Sequence, residues 1–475
     1  EAGLRRLLAG TGCEFRMVDA RSAVITKTPP RRAVPQRPAP APAPAKLAPL
    51  THENVEVEEL IVTSPKRTVG LARAPYAVSA VDGELLVEAG AADAAGVAAR
   101  VAGMTVTNLG AGRNKVFLRG LADGALTGRT QSVVGIYLDD ARVIYNAPDP
   151  DLRLTDVERV EVLRGPQGSL YGAGSIGGIV QIVTKRPDLD HWQGALTAGG
   201  QITDGGAAGD LIEGVINAPL IDGRLAARIV GYREASGGVI DDPGLGLANI
   251  DRTVRQGLRT TLALRLNPAW QARATYLDQT IHAKDTHYSE AETGDYARAL
   301  ALREPFRNDF DGLTTVVEGD LGWGRLKLSN AVQRHEIDAR HDAGLSLALF
   351  DPGAAGPARF DEASAIDALV TEASLASRAD RRLTWIVGVF ASEYTQNQTG
   401  VLTAAAPGEL YREARRDHID EYAAYGEASW SLNERLRVTA GGRYYRLAVE
   451  TRATIAEPAA AQASAFEGET ADHGF

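Results

Sequence analysis

The chain has 475 residues, 44% hydrophobic and 24% charged, enough to bury a large core and to divide into two or more units, so bulk disorder is excluded. Lysine and arginine number 51 against 61 aspartates and glutamates, a formal charge of −10 with a pI near 5.5, the wrong sign for life on phosphate backbones. The single cysteine, Cys13, permits neither an internal disulfide nor a cysteine-cage metal site, and no run of about 18 apolar residues offers a membrane-spanning helix. A transmembrane β-barrel stays open, because alternating apolar and polar residues hide from average hydropathy; 50 glycines, 14 tyrosines and 5 tryptophans suit one.

Residues 1–28 read as a small α+β piece. Leu4, Leu7 and Leu8 suggest the middle of an amphipathic helix that leads to a strand over Glu14 to Ile25. Glu1 is no initiator methionine and no charged-apolar export signal precedes this segment, so a leader removed from the sequence is expected. Thr28 to Leu50 holds eight of the 22 prolines and no aromatic residue, a stiff extended linker that runs on to residue 57. Within residues 58–67 follows Glu58-Glu59-Leu60-Ile61-Val62-Thr63-Ser64, acidic then β-branched and closed by Pro65-Lys66-Arg67; it reads as a short strand with nothing local to pair with.

Residues 68–187 are glycine-rich. Short β-like runs (Lys115 to Leu118, Val133 to Leu138, Val157 to Leu163, Ile179 to Val183) and alanine-rich helical turns around Leu85 to Val101 predict a compact α+β globule. From residue 188 to 475 the texture becomes long alternating strands. Leu258, Thr260, Leu262, Leu264 and Leu266 share one face, Arg259, Thr261, Ala263 and Arg265 the other, and Asn267-Pro268 turns the chain. Short turns alternate with long polar stretches such as Ser236 to Arg252 and Lys284 to Asp311, too long for ordinary sandwich connections. A soluble sandwich with a wet outer face fits the same alternation, but all five tryptophans (Trp192, Trp270, Trp323, Trp385, Trp430) sit beside short turns, where an interfacial girdle would put them.

The stretch DVERVEVLRGPQGSLYGAGSIGGIVQIVTKRP, from Asp156 to Pro187, joins KVFLRGL (Lys115 to Leu121), VVGIYLDD (Val133 to Asp140) and EELIVTS (Glu58 to Ser64). Together they resemble the plug domain and TonB box of TonB-dependent outer-membrane receptors, in that family's order and over about 130 residues. GVINAPLIDGRLAARIVGYREASG (Gly214 to Gly237) looks like an early barrel hairpin. EAGLRRLLAGTGCEFRMVDARSAVI resembles, more weakly, the tail of the short N-terminal domain shared by secretins and signal-transducing receptors. The resemblance implies a mostly β fold: a transmembrane antiparallel β-barrel of the 22-stranded type with an α+β plug in its lumen. Residues 188–475 accommodate about 12 to 14 strands, so a fragment with an open edge is expected.

Gly172-Ala-Gly174-Ser-Ile-Gly177 matches the G-x-G-x-x-G spacing of a dinucleotide loop, yet a strand-like IVQIVTK follows where a helix should start. Glycines that let the plug turn tightly and pack on the wall are the better reading. No phosphate-binding G-x-x-x-x-G-K-[ST] occurs, so no catalytic residues and no cofactor are expected.

As the resemblance implies, the function is active uptake of a scarce large solute, a ferric siderophore first and cobalamin or an oligosaccharide as alternatives. TonB in the periplasm would supply energy by pulling on Glu58, Glu59, Leu60, Ile61, Val62, Thr63 and Ser64, a segment suited to adding itself to the edge of another sheet; a linker strand that merely docks on the plug is the bland alternative. Gly110 to Asn114 and Ala122 to Thr130 would be outward plug loops, with Arg113, Asn114, Thr127 and Arg129 as ligand contacts, although arginines in glycine-rich loops are often simply solvated. Arg119, Glu158, Glu161, Arg164 and Arg186 are either plug-to-barrel contacts or ordinary solvated strand ends. His282 and His287, five apart, are a weak metal signature, and no metal site is assigned. Outer-membrane lipid would surround the barrel, in the cell outer membrane of a Gram-negative bacterium, with the N-terminal segment in the periplasm. A signalling receptor reporting to an anti-sigma regulator is the second class, and a passive porin or adhesin, disfavoured by the plug and the box, the third.

Overall fold

The computed structural model describes residues 13–17, 23–27, 61–62, 66, 69–70, 77–122, 132–143, 149–172, 174–350, 356–379, 381–405, 408–433, 435–458 and 461–474. Residues 1–58 form a unit of their own, in which β1 (Cys13–Met17) and β2 (Ala23–Lys27) pair antiparallel from Cys13↔Lys27 to Met17↔Ala23. One strand was expected over Glu14 to Ile25; two are described, Cys13–Met17 and Ala23–Lys27.

The second unit, residues 59–475, contains the plug and the barrel wall. It starts with a two-residue antiparallel ladder, β3 (Ile61–Val62) on β4 (Val69–Gly70), with partners Ile61↔Gly70 and Val62↔Val69. The strand expected to lack a local partner therefore has one. The plug is a mixed sheet of β5 (Val78–Asp82), β8 (Val134–Leu138), β9 (Ala141–Arg142), β10 (Val157–Arg164) and β11 (Gly178–Thr184), with β6 (Met104–Val106) and β7 (Val116–Leu118) as a separate pair. Its order is β5-β10-β11-β8-β9, and β11 runs parallel to β8. The helices α1 (Gly83–Glu88) and α2 (Ala94–Ala98) overlap the helical turns expected around Leu85 to Val101, and they start where Asp82 and Asp93 accept hydrogen bonds from the amides of Glu84 and Gly96. Leu86, Leu118, Val160 and Val162 form the center of the plug core, which continues into Leu277 and Phe310 of the wall.

The wall is one antiparallel sheet of twelve strands, each paired to its sequence neighbour. They are β12 (Gln193–Gln201), β13 (Gly209–Ile221), β14 (Leu225–Ser236), β15 (Thr253–Asn267), β16 (Trp270–Ala283), β17 (Phe306–Asp320), β18 (Gly324–Asp342), β19 (Ala358–Ser377), β20 (Leu383–Ala404), β21 (Glu409–Ser431), β22 (Arg437–Glu457) and β23 (Gln462–Gly474). Strands β12 and β23 stand at the two edges. The connections at one end are short and all five tryptophans lie there; the other end carries the longest ones, 237–252, 284–305 and 343–357. Leu258 and Leu262 face out, while Arg255 and Arg259 on the same strand are buried toward the plug.

Outward side chains change character at one level. Cross-strand neighbours Tyr276, Leu313, Val332 and Leu369 are followed, one outward position further, by Asp278, Asp311, Arg334 and Asp367. From Trp270 to Asp278 the strand climbs about 27 Å along its axis, or about 20 Å at a tilt near 40°, close to the ~25 Å apolar band of an outer-membrane barrel.

Candidate functional site

Plug and wall meet across a band of buried charge. The turns before and within 149–156 bring acidic residues outward, three of them (Asp139, Asp151, Asp156) at φ near +50°, which aspartate tolerates better than most residues. Asp156 receives Arg228 through Nη2 and Nε at 2.6 and 2.7 Å, while Arg259 Nη2 donates to the carbonyls of Thr155 and Asp156 at 3.0 and 2.9 Å. Asp151 takes Arg255 at 2.8 Å. Arg153 reaches the other way, 2.6 Å from Glu234 and 3.6 Å from Glu213. Gln279 ties the backbone: its Oε1 accepts from the Arg153 amide at 2.9 Å and its Nε2 donates to the Pro150 carbonyl at 2.8 Å. Further along, Asp140 pairs with Arg273 at 2.8 Å and with Lys327. Burial pushes the Asp140 carboxyl up, but Lys327 and Arg273 outweigh it and hold the group below the ordinary carboxylate range. Buried pairs of this kind fix geometry more than they stabilise, since desolvation offsets much of their attraction.

The residues expected at this interface make other contacts. Glu158 and Glu161 pair with Arg159 on their own strand, and Arg164 donates to the Ala102 carbonyl at 2.8 Å and to Ser79 Oγ at 3.1 Å, all within the plug. Arg119 turns the plug chain at φ +53°, and Arg186 adds its field to Asp140, also in the plug. Strand β10 lies in the middle of the plug sheet, between β5 and β11, so its charges find partners there and the loops at its end meet the wall. The signal that marks the real contacts is the charged run Asp149-Pro-Asp151-Leu-Arg153-Leu-Thr-Asp156 opposite the alternating arginines of β14 to β16.

The glycines of the false nucleotide motif do what close packing requires. Gly172 (φ +73°) lies where a Cβ would stand 2.7 Å from the Arg443 guanidinium of the wall, and Gly174 (φ +76°) would meet the Ser132 carbonyl at 2.6 Å. The strand β11 follows the motif where a nucleotide site would need a helix.

At the end with long connections, the plug loop 110–114 lies against the wall. Arg113 stacks on the Phe306 ring at 4.4 Å, and its Nε and Nη2 are buried without hydrogen-bond partners among the described residues. Burial lowers the guanidinium pKa, against the fields of Glu304 and Asp285. Asn114 turns inward and accepts from the Leu109 amide at 2.9 Å, a loop-shaping role. A Cβ on Gly112 would approach Phe306 to 2.9 Å, and Gly112 N–H donates to Asp151 at 2.7 Å, which links this loop to the charged band. Thr127 and Arg129 lie outside the described residues.

The loop 284–305 carries its own cluster. Arg298, fully buried, pairs with Asp285 and with Glu304 at 3.0 Å, and Tyr288 donates to Glu304 at 3.0 Å. Tyr288 is pushed up to about 12, by burial first and then by Glu304. His287 sits 2.5 Å from Asp251 of the neighbouring loop and close to Gly110 of the plug. Its pKa is raised, chiefly by that hydrogen bond. His282, on β16, stands across from Val254 and Arg307.

Of the Glu58–Ser64 segment, Ile61 and Val62 lie in β3, and Glu58, Glu59, Leu60, Thr63 and Ser64 lie outside the described residues.

Comparison with known proteins agrees with this geometry. Residues 71–179 match the TonB-dependent receptor plug domain, and residues 192–464 match the TonB-dependent receptor-like β-barrel. The pesticin receptor of Yersinia pestis is 37% identical over 102 residues, 21% of this chain and 14% of that protein. The iron-regulated outer membrane virulence protein of Vibrio cholerae is 22% identical over 400 residues, 81% of this chain and 54% of that protein. The chain thus spans about half the length of the Vibrio relative and less of the Yersinia one. The crystal structure of the ferric yersiniabactin uptake receptor FyuA from Yersinia pestis superposes with a TM-score of 0.74 at 18% identity, over 84% of this chain and 60% of that one. With both models matched in plug-then-barrel order, and the second alone covering more than half of its length, the chain belongs to the TonB-dependent receptor family.

Proposed function

We propose that this receptor imports a ferric siderophore across the outer membrane, gated by the plug and energised by TonB through Glu58 to Ser64. The observation that carries the ligand class is Arg113. Its stacked guanidinium keeps two buried nitrogens, Nε and Nη2, without partners among the described residues at the meeting of plug and loops, a cost of about 1 to 3 kcal/mol that an anionic chelate would relieve. The relative named for iron regulation supports an iron-containing cargo. Thr127 and Arg129 belong to the proposed ligand surface by sequence alone.

The test is equilibrium binding of a panel of ferric siderophores to the receptor in outer-membrane vesicles, with and without Arg113→Ala. Anionic ferric chelates should bind about tenfold or more weakly to the variant, and neutral ones nearly unchanged. Equal affinity for anionic chelates in both forms would remove Arg113 from the site. Binding of cobalamin or an oligosaccharide alone would replace the ligand class.

The separate N-terminal unit with its β1–β2 pair supports a second role, report of occupancy to a periplasmic anti-sigma regulator. Deleting residues 1–50 should then abolish ligand-induced transcription and leave uptake intact.

A further inference from the structure

Strands β19 to β22 carry a groove on the face turned away from the plug. Thr371, Ala391, Tyr422 and Arg446 stand directly across from one another in one row, and Ala373, Val389, Ala424 and Tyr444 form the next. Alternation fixes the direction of both rows. Glu421 and Arg443, the chain neighbours of Tyr422 and Tyr444, are buried on the inner side and pair at 2.6 Å, whereas Val389, Tyr422 and Tyr444 are exposed. Between Val389 and the two tyrosines the small side chains leave a concavity of about 410 Å³.

The groove ends where the apolar belt ends. The outward charges that close the belt on β16 to β19, three aspartates and Arg334, continue as Glu393, Asp420 and Arg446 on β20 to β22. Five of these seven groups are acidic, and Arg334 is answered by Glu336 of its own strand. The Arg446 side chain has no hydrogen bond or ion pair among the described residues. It is flanked across the strands by Tyr422 and His473, neither of them an acid. A phosphate approaching the belt elsewhere meets carboxylates; at Arg446 it meets a free guanidinium, whose forked donors match its oxygens.

We infer that this groove binds an anionic lipid with an exposed phosphate, drawn from the leaflet on the side of the long connections. An acyl chain lies over Ala373, Ala391 and Ala424, the phosphate is held by Arg446, and Tyr422 and Tyr444 stand where chain meets headgroup, the level that interfacial aromatics occupy. Seating a chain in hydrocarbon gains packing rather than hydrophobic burial, so the contact at Arg446 decides which lipid stays. The site is independent of the imported cargo.

The experiment is native mass spectrometry of the whole receptor in neutral detergent, titrated with diphosphoryl lipid A as the probe and with phosphatidylcholine. The parent should hold lipid A and bind phosphatidylcholine about tenfold more weakly. Arg446→Gln should lose about tenfold for lipid A, and Arg446→Lys should stay within about threefold of the parent. Ala391→Leu, which fills the groove and leaves every charge in place, should lose about threefold. Arg452→Gln removes an outward charge about 20 Å further along β22, already paired with Glu450 and Glu467, and should bind as the parent does. Parental binding by Arg446→Gln, or equal binding of the two lipids, overturns the site. Displacement of lipid A by inorganic phosphate would reduce it to an ion contact and overturn the groove, and a lipid-free dimer that Ala391→Leu abolishes would give the groove to a second copy instead.

Discussion

Removing the charge of Asp156 should loosen the plug from the wall more than any other single change in the buried band. Arg228 binds it through two parallel hydrogen bonds of 2.6 and 2.7 Å, Arg259 lies 3.5 Å away, and all three side chains are under 10% exposed. In Asp156→Asn the size is kept, and asparagine tolerates the φ of +52° as well as aspartate does, so backbone strain adds nothing. Arg228 then stays buried without its paired carboxylate, and Arg259 keeps only the weaker field of Asp139. Breaking a buried pair in this way costs about 3 to 5 kcal/mol; the lower end applies here, because the asparagine carbonyl still accepts one hydrogen bond and Arg259 keeps two backbone carbonyls. About 3 kcal/mol corresponds to roughly a hundredfold shift in plug docking. The assay is urea-dependent protection of β10 and β11 amides in the vesicle-embedded receptor, for Asp156→Asn, Arg228→Gln and the pair. The double variant should lose clearly less than the sum of the singles. Additivity within about 0.5 kcal/mol would refute direct coupling of these two residues.

The membrane boundary makes a paired prediction. Val332→Arg, in the apolar belt, should destabilise the barrel by about 2 to 4 kcal/mol, and Asp311→Arg, one outward level beyond Leu313, by about 1 kcal/mol or less, measured by unfolding in lipid vesicles. Equal costs would misplace the boundary. The tie between His287 and Asp251 predicts a pH dependence. Since the folded pKa of His287 is raised, its contribution is complete below the ordinary histidine value of about 6.5 and is lost as pH rises through the folded value. Hydrogen exchange in loop 284–305, corrected for intrinsic rates, should therefore speed up as the solution is made more alkaline, and His287→Phe should flatten that trend. A trend unchanged in His287→Phe would assign it to other groups.

Much of this architecture was legible in the residues. The alternation of Leu258 to Leu266 with arginines, the turn at Asn267-Pro268 and the tryptophans beside short turns describe the wall, because a strand with lipid on one side and a filled lumen on the other must alternate. Four of the plug strands, β7, β8, β10 and β11, fell where β-like runs predicted them; GIVQIVT, buried on both faces, has little polar content, whereas VERVEVL keeps three charged residues that pair with one another, and β5, β6 and β9 had no signal strong enough to predict. The interface charges were not legible, because whether Glu158 meets the wall or its own neighbour Arg159 depends on which strands flank β10, a long-range fact. The pairing of β3 was missed for a related reason: Val69-Gly70 is too short a run to stand out as a strand. The pair of Lys66 with Glu372 joins residues 306 positions apart and has no local signature.

Energised import is tested most directly by uptake of radiolabelled ferric siderophore into cells expressing the receptor, compared with cells carrying Ile61→Pro. Proline removes a backbone donor that strand addition requires and leaves the outward face untouched. Surface binding that persists with uptake lost is the expected result; uptake at the parental rate in Ile61→Pro would contradict coupling through this segment.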